Sequence, residues 1–329
     1  MELFDSVLGQ TIAEYVWLKQ ALGRTYDGER RVLASLDAFL AAEDSDLTAD
    51  TFARWCQTQE HLTSGVRRYR MRVVRNLALY RRRREPSCFV PDPFLFPLPH
   101  HPVQPYIFTH SEIAGLIQQA DALAASRDCP LRPELFSLAI TLLYTAGLRR
   151  GELLRMTSGD YNPREGTLLV RKSKFHKSRV LPLSAEGIKR LDCYLYARRA
   201  HRLSVSPEIP LMWNTRGGGR AYTAFGFADL VHRLFDAVGV RKPDGHRPRI
   251  HDFRHTFAVH ALLRWYHAGE DVQAKLPLLA TYMGHVSIVS TQYYLKLTES
   301  LASSASERFA SRYASLIVPL PIPIPGDAQ

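Results

Sequence analysis

What this 329-residue chain has little of narrows it quickly. Its four cysteines, Cys56, Cys88, Cys129 and Cys193, lie far apart with no C-x-x-C pair, which argues against a disulfide framework or a cysteine-based zinc site and for a reducing compartment. No stretch approaches the ~18–20 apolar residues of a membrane-spanning helix. The opening MELFDSVLGQ lacks the basic-then-apolar form of a secretory signal, so the expected setting is cytoplasmic, without membrane. No internal repeat is visible. Gly217-Gly218-Gly219 is not followed by the Gly-Lys-Ser/Thr that opens a phosphate-cradling helix, and it reads as a turn. Acid is short as well. With 32 Asp and Glu against 43 Lys and Arg, the net charge is +11 and the pI is near 9.6, so the default partner is a polyanion. Hydrophobic residues make up 46%, enough for ordinary cores. The length suggests two domains at about 150 residues each.

The positive charge is concentrated. Residues 61–85 hold nine arginines (67, 68, 70, 72, 75, 81, 82, 83 and 84) and a single acid, Glu85. Val66, Tyr69, Val73 and Leu77 recur at three- and four-residue steps, which predicts a helix with arginines on its remaining faces. The plain reading is a solvated basic helix end. Self-repulsion favours the other reading, in which Arg67, Arg68, Arg70, Arg72 and Arg75 contact a DNA backbone.

Shorter helical patterns precede it at 5–22, 26–40 and 47–61. Seven prolines from Pro86 to Pro105 then predict an extended linker over 89–106, with His100 and His101 as linker residues rather than metal ligands. Beyond it, Thr109 and Glu112 stand at capping-box spacing. Helices are expected to about residue 156, a β-hairpin over 167–183, and helices again at 185–199, 224–238 and 251–267. The expected fold is mostly α with a small β-hairpin or sheet (α+β). Its parts are a helical domain over 1–88, the linker, a second domain over 107–300 and a tail over 301–329.

Three separated segments carry chemistry-bearing residues. They are Gly147-Leu148-Arg149-Arg150-Gly151-Glu152, His251-Asp252-Phe253-Arg254-His255-Thr256-Phe257-Ala258, and Gly284-His285 with Tyr294 nine residues on. His251 and Arg254 are three apart and share a helix face. Together, in this order, the segments resemble the tyrosine recombinase (phage integrase) family. Its signature is G-L-R-x-x-E, then H-x-x-R-H-x-F-A, then a G-H pair with a tyrosine nine residues beyond the histidine. The stretches around Tyr282 and Tyr294 are most similar to recombinases of transposon-type elements.

The resemblance implies a helical core-binding (SAM-like) domain followed by a catalytic domain. It implies that Arg149, Arg254 and His285 stabilise the extra negative charge of a phosphorane-like transition state. Glu152 would orient an active-site arginine, and His255 would pack against or support the site. Tyr294 would attack the phosphate, with His251 taking its proton. Ionising a tyrosine in advance at pH 7 costs roughly 4 kcal/mol; the arginines would lower that cost. The leaving 5′-oxygen would take a proton from a hairpin lysine in a pattern similar to K-x-x-K-x-R; counting back from Arg179 selects Lys174. Lys172 is the rival, and Lys177 would touch backbone phosphate. Register selects Tyr294 over Tyr293. No metal and no cofactor is implied. The implied partner is double-stranded DNA at the nucleoid, bound by a homotetramer or by a mixed assembly with other recombinases. The stripe Leu301, Ala305, Phe309, Tyr313 would cover its own domain or dock into a neighbouring protomer.

His251 and His255 have the spacing of a zinc helix, but Asp252 stands where a zincin has Glu, and Arg254 would repel the metal. A catalytically silent DNA-binding regulator would not need so complete a set. A type IB topoisomerase would share the chemistry but act as a monomer without needing two sites.

Overall fold

The structure, a computed structural model, describes residues 4–98, 104–171, 178–216, 219–285 and 289–296. It falls into two compact units, residues 1–104 and 105–329. His100, His101, the hairpin residues Lys172, Lys174 and Lys177, the first two glycines of the triplet and the stripe beyond residue 300 lie outside the described residues.

The first unit is built from α1 (Gly9–Ala21), α2 (Asp27–Ala42), α3 (Ala49–Gln57) and α4 (Ser64–Arg81). The Thr48 hydroxyl caps α3 by accepting from the Thr51 N–H at 3.1 Å. Val32, Leu33, Leu36 and Leu40 of α2 face Met71, Val73, Val74, Leu77 and Ala78 of α4 in one core. Each fully buried Val or Leu there contributes about 1.5–3 kcal/mol. Val66, in the first turn of α4, is 44% exposed, so the packed stripe starts at Tyr69 rather than where the periodicity begins.

The proline-rich segment is not a free tether over its first part. Phe96 is buried in the α2–α4 core, and Phe89 and Val90 pack against it. Arg75 donates Nη1 to the Pro91 carbonyl at 2.5 Å, and Arg68 donates Nη1 to the Pro97 carbonyl at 2.8 Å. Prolines cannot pair this strap through backbone N–H groups. Aromatic burial and arginine donors hold it to α4 instead.

The second unit opens with α5 (His110–Asp121). Thr109 caps it: its hydroxyl accepts from the Glu112 N–H at 3.2 Å, and the Glu112 carboxylate accepts from the Thr109 N–H at 2.7 Å. Next, α6 (Arg132–Thr145) is buried without interruption from Leu135 to Leu143 and forms the axis of the unit. After α7 (Arg150–Arg155), strands β1 (Tyr161–Asn162), β2 (Thr167–Val170) and β3 (Arg179–Pro182) form an antiparallel sheet in the order β1-β2-β3. The hairpin register pairs Leu168 with Leu181 and Val170 with Arg179. Then come α8 (Ala185–Ala200), the two-stranded β4 (Trp213–Asn214) and β5 (Arg220–Ala221), and α9 (Ala224–Val238). Last are α10 (Asp252–His267), α11 (Val272–Met283) and the short α12 (Val289–Gln292), which leads into a 3-10 turn over Tyr293–Lys296. Among the described residues no helix is long and apolar enough to cross a membrane.

Candidate active site

The site grows from two glycine turns. Gly147 follows α6 with φ +57°, and a Cβ there would come within 2.5 Å of the Phe257 ring, so the turn requires glycine on both counts. It sets Arg149 as the extended residue before α7 (ψ 144°). One helical turn on, buried Glu152 folds back and accepts from the Arg149 N–H at 3.0 Å and from its Nη1 at 2.7 Å. Gly284 ends α11 with φ +66°, and a Cβ there would lie 2.9 Å from Nη1 of Arg179.

The arginines then tie these segments to one another. Arg149 donates Nη2 to the Gly284 carbonyl at 3.2 Å. Arg254, on the first turn of α10 and only 1% exposed, donates Nη1 to the Gly147 carbonyl at 2.6 Å and Nη2 to the Met283 carbonyl. Arg179, the first residue of β3, grips both Glu152 oxygens at 3.1 and 2.9 Å and donates Nε to the Tyr282 carbonyl at 2.9 Å. The sequence marks Arg179 only as the end of the K-x-x-K-x-R pattern that selects Lys174. Its position at the end of the hairpin pattern was the one available signal of this role.

Two guanidinium groups, those of Arg149 and Arg179, thus share one carboxylate. Burial works to raise the Glu152 pKa, but the hydrogen bonds from Arg179 and from the Arg149 N–H hold it at about 2. Burial, with Arg149 nearby, pushes Arg254 down to about 9, which leaves it cationic at neutral pH. The surplus positive charge makes this an anion site.

Around the arginines stand three histidines and a tyrosine. His251 precedes α10; crowding by protein, with Arg254 and Arg149, lowers its pKa and keeps it neutral. The ring of His255 meets His251 edge-on at 4.8 Å and Tyr294 at 5.5 Å, and its buried Nδ1 finds no hydrogen-bond partner among the described residues. Burial and its neighbours bring His255 to about 4. His285 stacks on Tyr294 at 6.2 Å and shares a 2.8 Å hydrogen bond between its Nδ1 and the hydroxyl of fully buried Thr291. Burial, then Arg254 and Arg149, bring His285 to about 4, so it too is neutral. Tyr294 is 3% exposed, and Tyr293 is half-buried beside it. Burial raises the Tyr294 pKa despite the opposing pull of Arg254 and Arg149. In the resting site, then, the arginines do not bring about net activation of the phenol. The Tyr282 ring stacks on Phe257 at 5.4 Å. Arg149 and His251 open onto a bowl of about 930 Å³ whose wall includes Arg150, His232, Arg247 and Arg249.

The basic helix belongs to the other unit, and several of its charges have internal partners. Besides Arg68 and Arg75, Arg70 donates to the Gln59 side chain, Arg81 grips Asp46 at 2.6 and 2.8 Å, and Arg84 pairs with Glu14 at 2.5 Å. Arg72 lies over the Tyr69 ring at 5.9 Å, and Arg67 Nε is buried without a partner among the described residues. Among the described residues no group of three His, Cys, Asp or Glu could hold a metal ion.

Comparison with known proteins places this geometry. The profile of the phage integrase family matches residues 107–300. The chain is 32% identical over 315 residues to a putative integrase/recombinase, y4rB, of Sinorhizobium fredii, covering 94% of this chain and 98% of that one. It is 28% identical over 295 residues to the tyrosine recombinase XerD of Ralstonia nicotianae, covering 87% and 88%. In fold it is similar to the Tn1549 transposon integrase in complex with transposon right end DNA, with a TM-score of 0.62 at 17% identity over 93% of this chain and 98% of that one. A lambda integrase dimer bound to a COC′ core site gives 0.60 at 16% identity, over 87% and 94%. The chain belongs to the phage integrase family and is a tyrosine recombinase.

Proposed function

We propose that this protein cuts and rejoins duplex DNA at specific sites through a 3′-phosphotyrosyl intermediate, in the integration, excision or transposition of mobile DNA. The observation that carries this reading is the meeting of Arg149, Arg254 and His285 at the Tyr294 ring, with His251 against His255 beside it, from three segments of which the first precedes the other two by more than 100 residues. The DNA complexes of the Tn1549 and lambda integrases support duplex DNA as the partner. The working assembly is a tetramer on two sites, of this chain or mixed with other recombinases. Residues 1–88 serve as the core-binding domain and 107–300 as the catalytic domain.

In this reading Arg149 and Arg254 hold the non-bridging oxygens of the scissile phosphate, and the incoming anion relieves the charge crowded around Arg254. Neutral His285 donates Nε2–H to the same phosphate; a Thr291 hydroxyl donating into Nδ1 keeps the proton on Nε2. Tyr294 Oη attacks phosphorus, neutral His251 takes the phenolic proton, and Lys174 gives a proton to the departing 5′-oxygen. One ester bond forms as another breaks, so religation needs neither ATP nor metal.

Sulfur substitution tests the assignment of Lys174. A 5′-bridging phosphorothiolate leaves as a thiolate and needs no proton. Lys174→Ala should cleave ordinary DNA about 10²–10⁴-fold slowly, the usual worth of a general acid, and cut the sulfur duplex near the wild-type rate. Arg149→Ala and Arg254→Ala should gain far less from sulfur. Rescue of Lys172→Ala in place of Lys174→Ala would move the general acid to Lys172.

The basic helix makes a separate prediction. Arg67→Ala with Arg72→Ala should weaken binding to specific and random duplexes alike, flattening the salt dependence by up to about 0.9 per lost phosphate contact. Arg68→Ala and Arg75→Ala should instead lower the thermal stability of the first unit, because their partners are the strap carbonyls. An unchanged salt slope in the first pair would remove the helix from the DNA interface.

A further inference from the structure

Arg179 joins three parts of the chain that the proposed chemistry needs in register. Its backbone is the first pair of the hairpin, opposite Val170, five residues beyond Lys174. Its guanidinium, in a side chain 11% exposed, grips both oxygens of Glu152, which also holds Arg149. Its Nε reaches the Tyr282 carbonyl, and its Nη1 lies against Gly284, where a Cβ would be 2.9 Å away. Gly284 in turn precedes His285. Three donor contacts in one plane fix the guanidinium against translation and rotation, which a lysine ammonium at the same place would not do. No other described side chain hydrogen-bonds both the phosphate-arginine segment and the α11 terminus while sitting on the hairpin. Its placement is not needed merely to neutralise Glu152, since Arg149 already pairs with that carboxylate at 2.7 Å.

We infer that Arg179 is a positioning residue that anchors the loop end of the β2–β3 ladder to the phosphate-binding arginines, and that it thereby sets where the hairpin lysine meets the leaving oxygen. The inference rests on the proposed role of Lys174 as general acid. A ladder loosened at its loop end would leave phosphate binding and attack largely in place but would bring the ammonium to the 5′-oxygen less often. The defect should therefore belong to leaving-group protonation.

The test uses the full chain and a duplex selected from a random-sequence library by covalent capture on the wild-type protein. That duplex is resynthesised with oxygen or with 5′-bridging sulfur at the mapped scissile position. Arg179→Ala and Arg179→Lys are compared with Lys174→Ala, with thermal melting as the check on folding. Arg179→Lys keeps the charge and a donor beside Glu152, so it remains informative if the alanine variant does not fold. The expected result is cleavage of the oxygen duplex slowed by about 100-fold or more for Arg179→Ala and by less for Arg179→Lys, with both returning to within about 5-fold of wild type on sulfur. A purely structural role, or one exerted through Arg149, would slow both duplexes equally. Sulfur rescue of Lys174→Ala without rescue of either Arg179 variant would overturn the positioning role and leave the general acid standing. Failure of sulfur to rescue Lys174→Ala would overturn the general acid itself, and this inference with it.

Discussion

Tyr294→Phe is expected to bind duplex DNA like the wild type and to form no covalent adduct, a loss on the order of 10⁴-fold or more in cleavage. The substitution removes a single oxygen. The ring stays wedged between His255 at 5.5 Å and His285 at 6.2 Å, and it remains 3% exposed in a core shared with Met283 and Leu279. Folding should change by less than about 1 kcal/mol, since the volume is nearly conserved. Tyr293 is the internal comparison. Its ring lies 6.1 Å from that of Tyr294, and Tyr293→Phe should keep the adduct. Peptide mapping of the trapped protein–DNA complex checks both, and an adduct on Tyr293 would shift the nucleophile by one residue.

The second large effect is on stability. Glu152→Gln should destabilise the fold by about 3 kcal/mol at pH 7, because it leaves Arg149 and Arg179 beside nearly buried Arg254 without their shared counter-charge. The pH dependence tests the cause. The Glu152 carboxyl falls from an ordinary 4.5 to about 2 on folding, which corresponds to roughly 3 kcal/mol. A depressed carboxylate stabilises the folded state fully above its unfolded pKa and loses that contribution as pH falls toward the folded value. The gap between wild type and Glu152→Gln, read from urea midpoints, should be widest above pH 5 and close as the pH drops from about 4.5 toward 2. A gap that stays constant over this range would mean that lost packing, not ionisation, sets the cost.

The helices of the second unit were legible because their signals are local. Thr109 with Glu112 marks a cap wherever it occurs, and the helical pattern over 224–238 coincides with α9. Arg149, His251, Arg254, His285 and Tyr294 were likewise legible, since each stands at a fixed offset within a short motif. What the sequence did not show depends on closure between distant segments. Nothing local to Gly147, Met283 or Gly284 announces that its carbonyl will accept from an arginine more than 25 residues away. Nothing near Thr291 links its hydroxyl to His285. The basic helix was only partly legible for a related reason. Charge counts as charge in a sequence, but the carbonyls of Pro91 and Pro97 become partners only once the aromatic residues fold the strap back. The Tyr294 pKa was hidden in the same way, because burial and two arginines oppose each other there and only the packed structure shows that burial prevails.

The interlocked glycine carbonyls also bear on when during its synthesis the protein becomes dangerous to DNA. Arg149 leaves the ribosome 135 residues ahead of the Gly284 carbonyl it will hold, and Gly147 precedes its donor Arg254 by 107. Contacts of such long range form late and slowly, since loop closure must precede them. A nascent or truncated chain that has built its helices but lacks the α11 terminus keeps Glu152 for Arg149 and the Gly147 carbonyl for Arg254, but it lacks the Gly284 and Met283 carbonyls that complete their anchoring. On the proposed mechanism, partial products of translation or proteolysis that stop short of Tyr294 would be unable to break a strand.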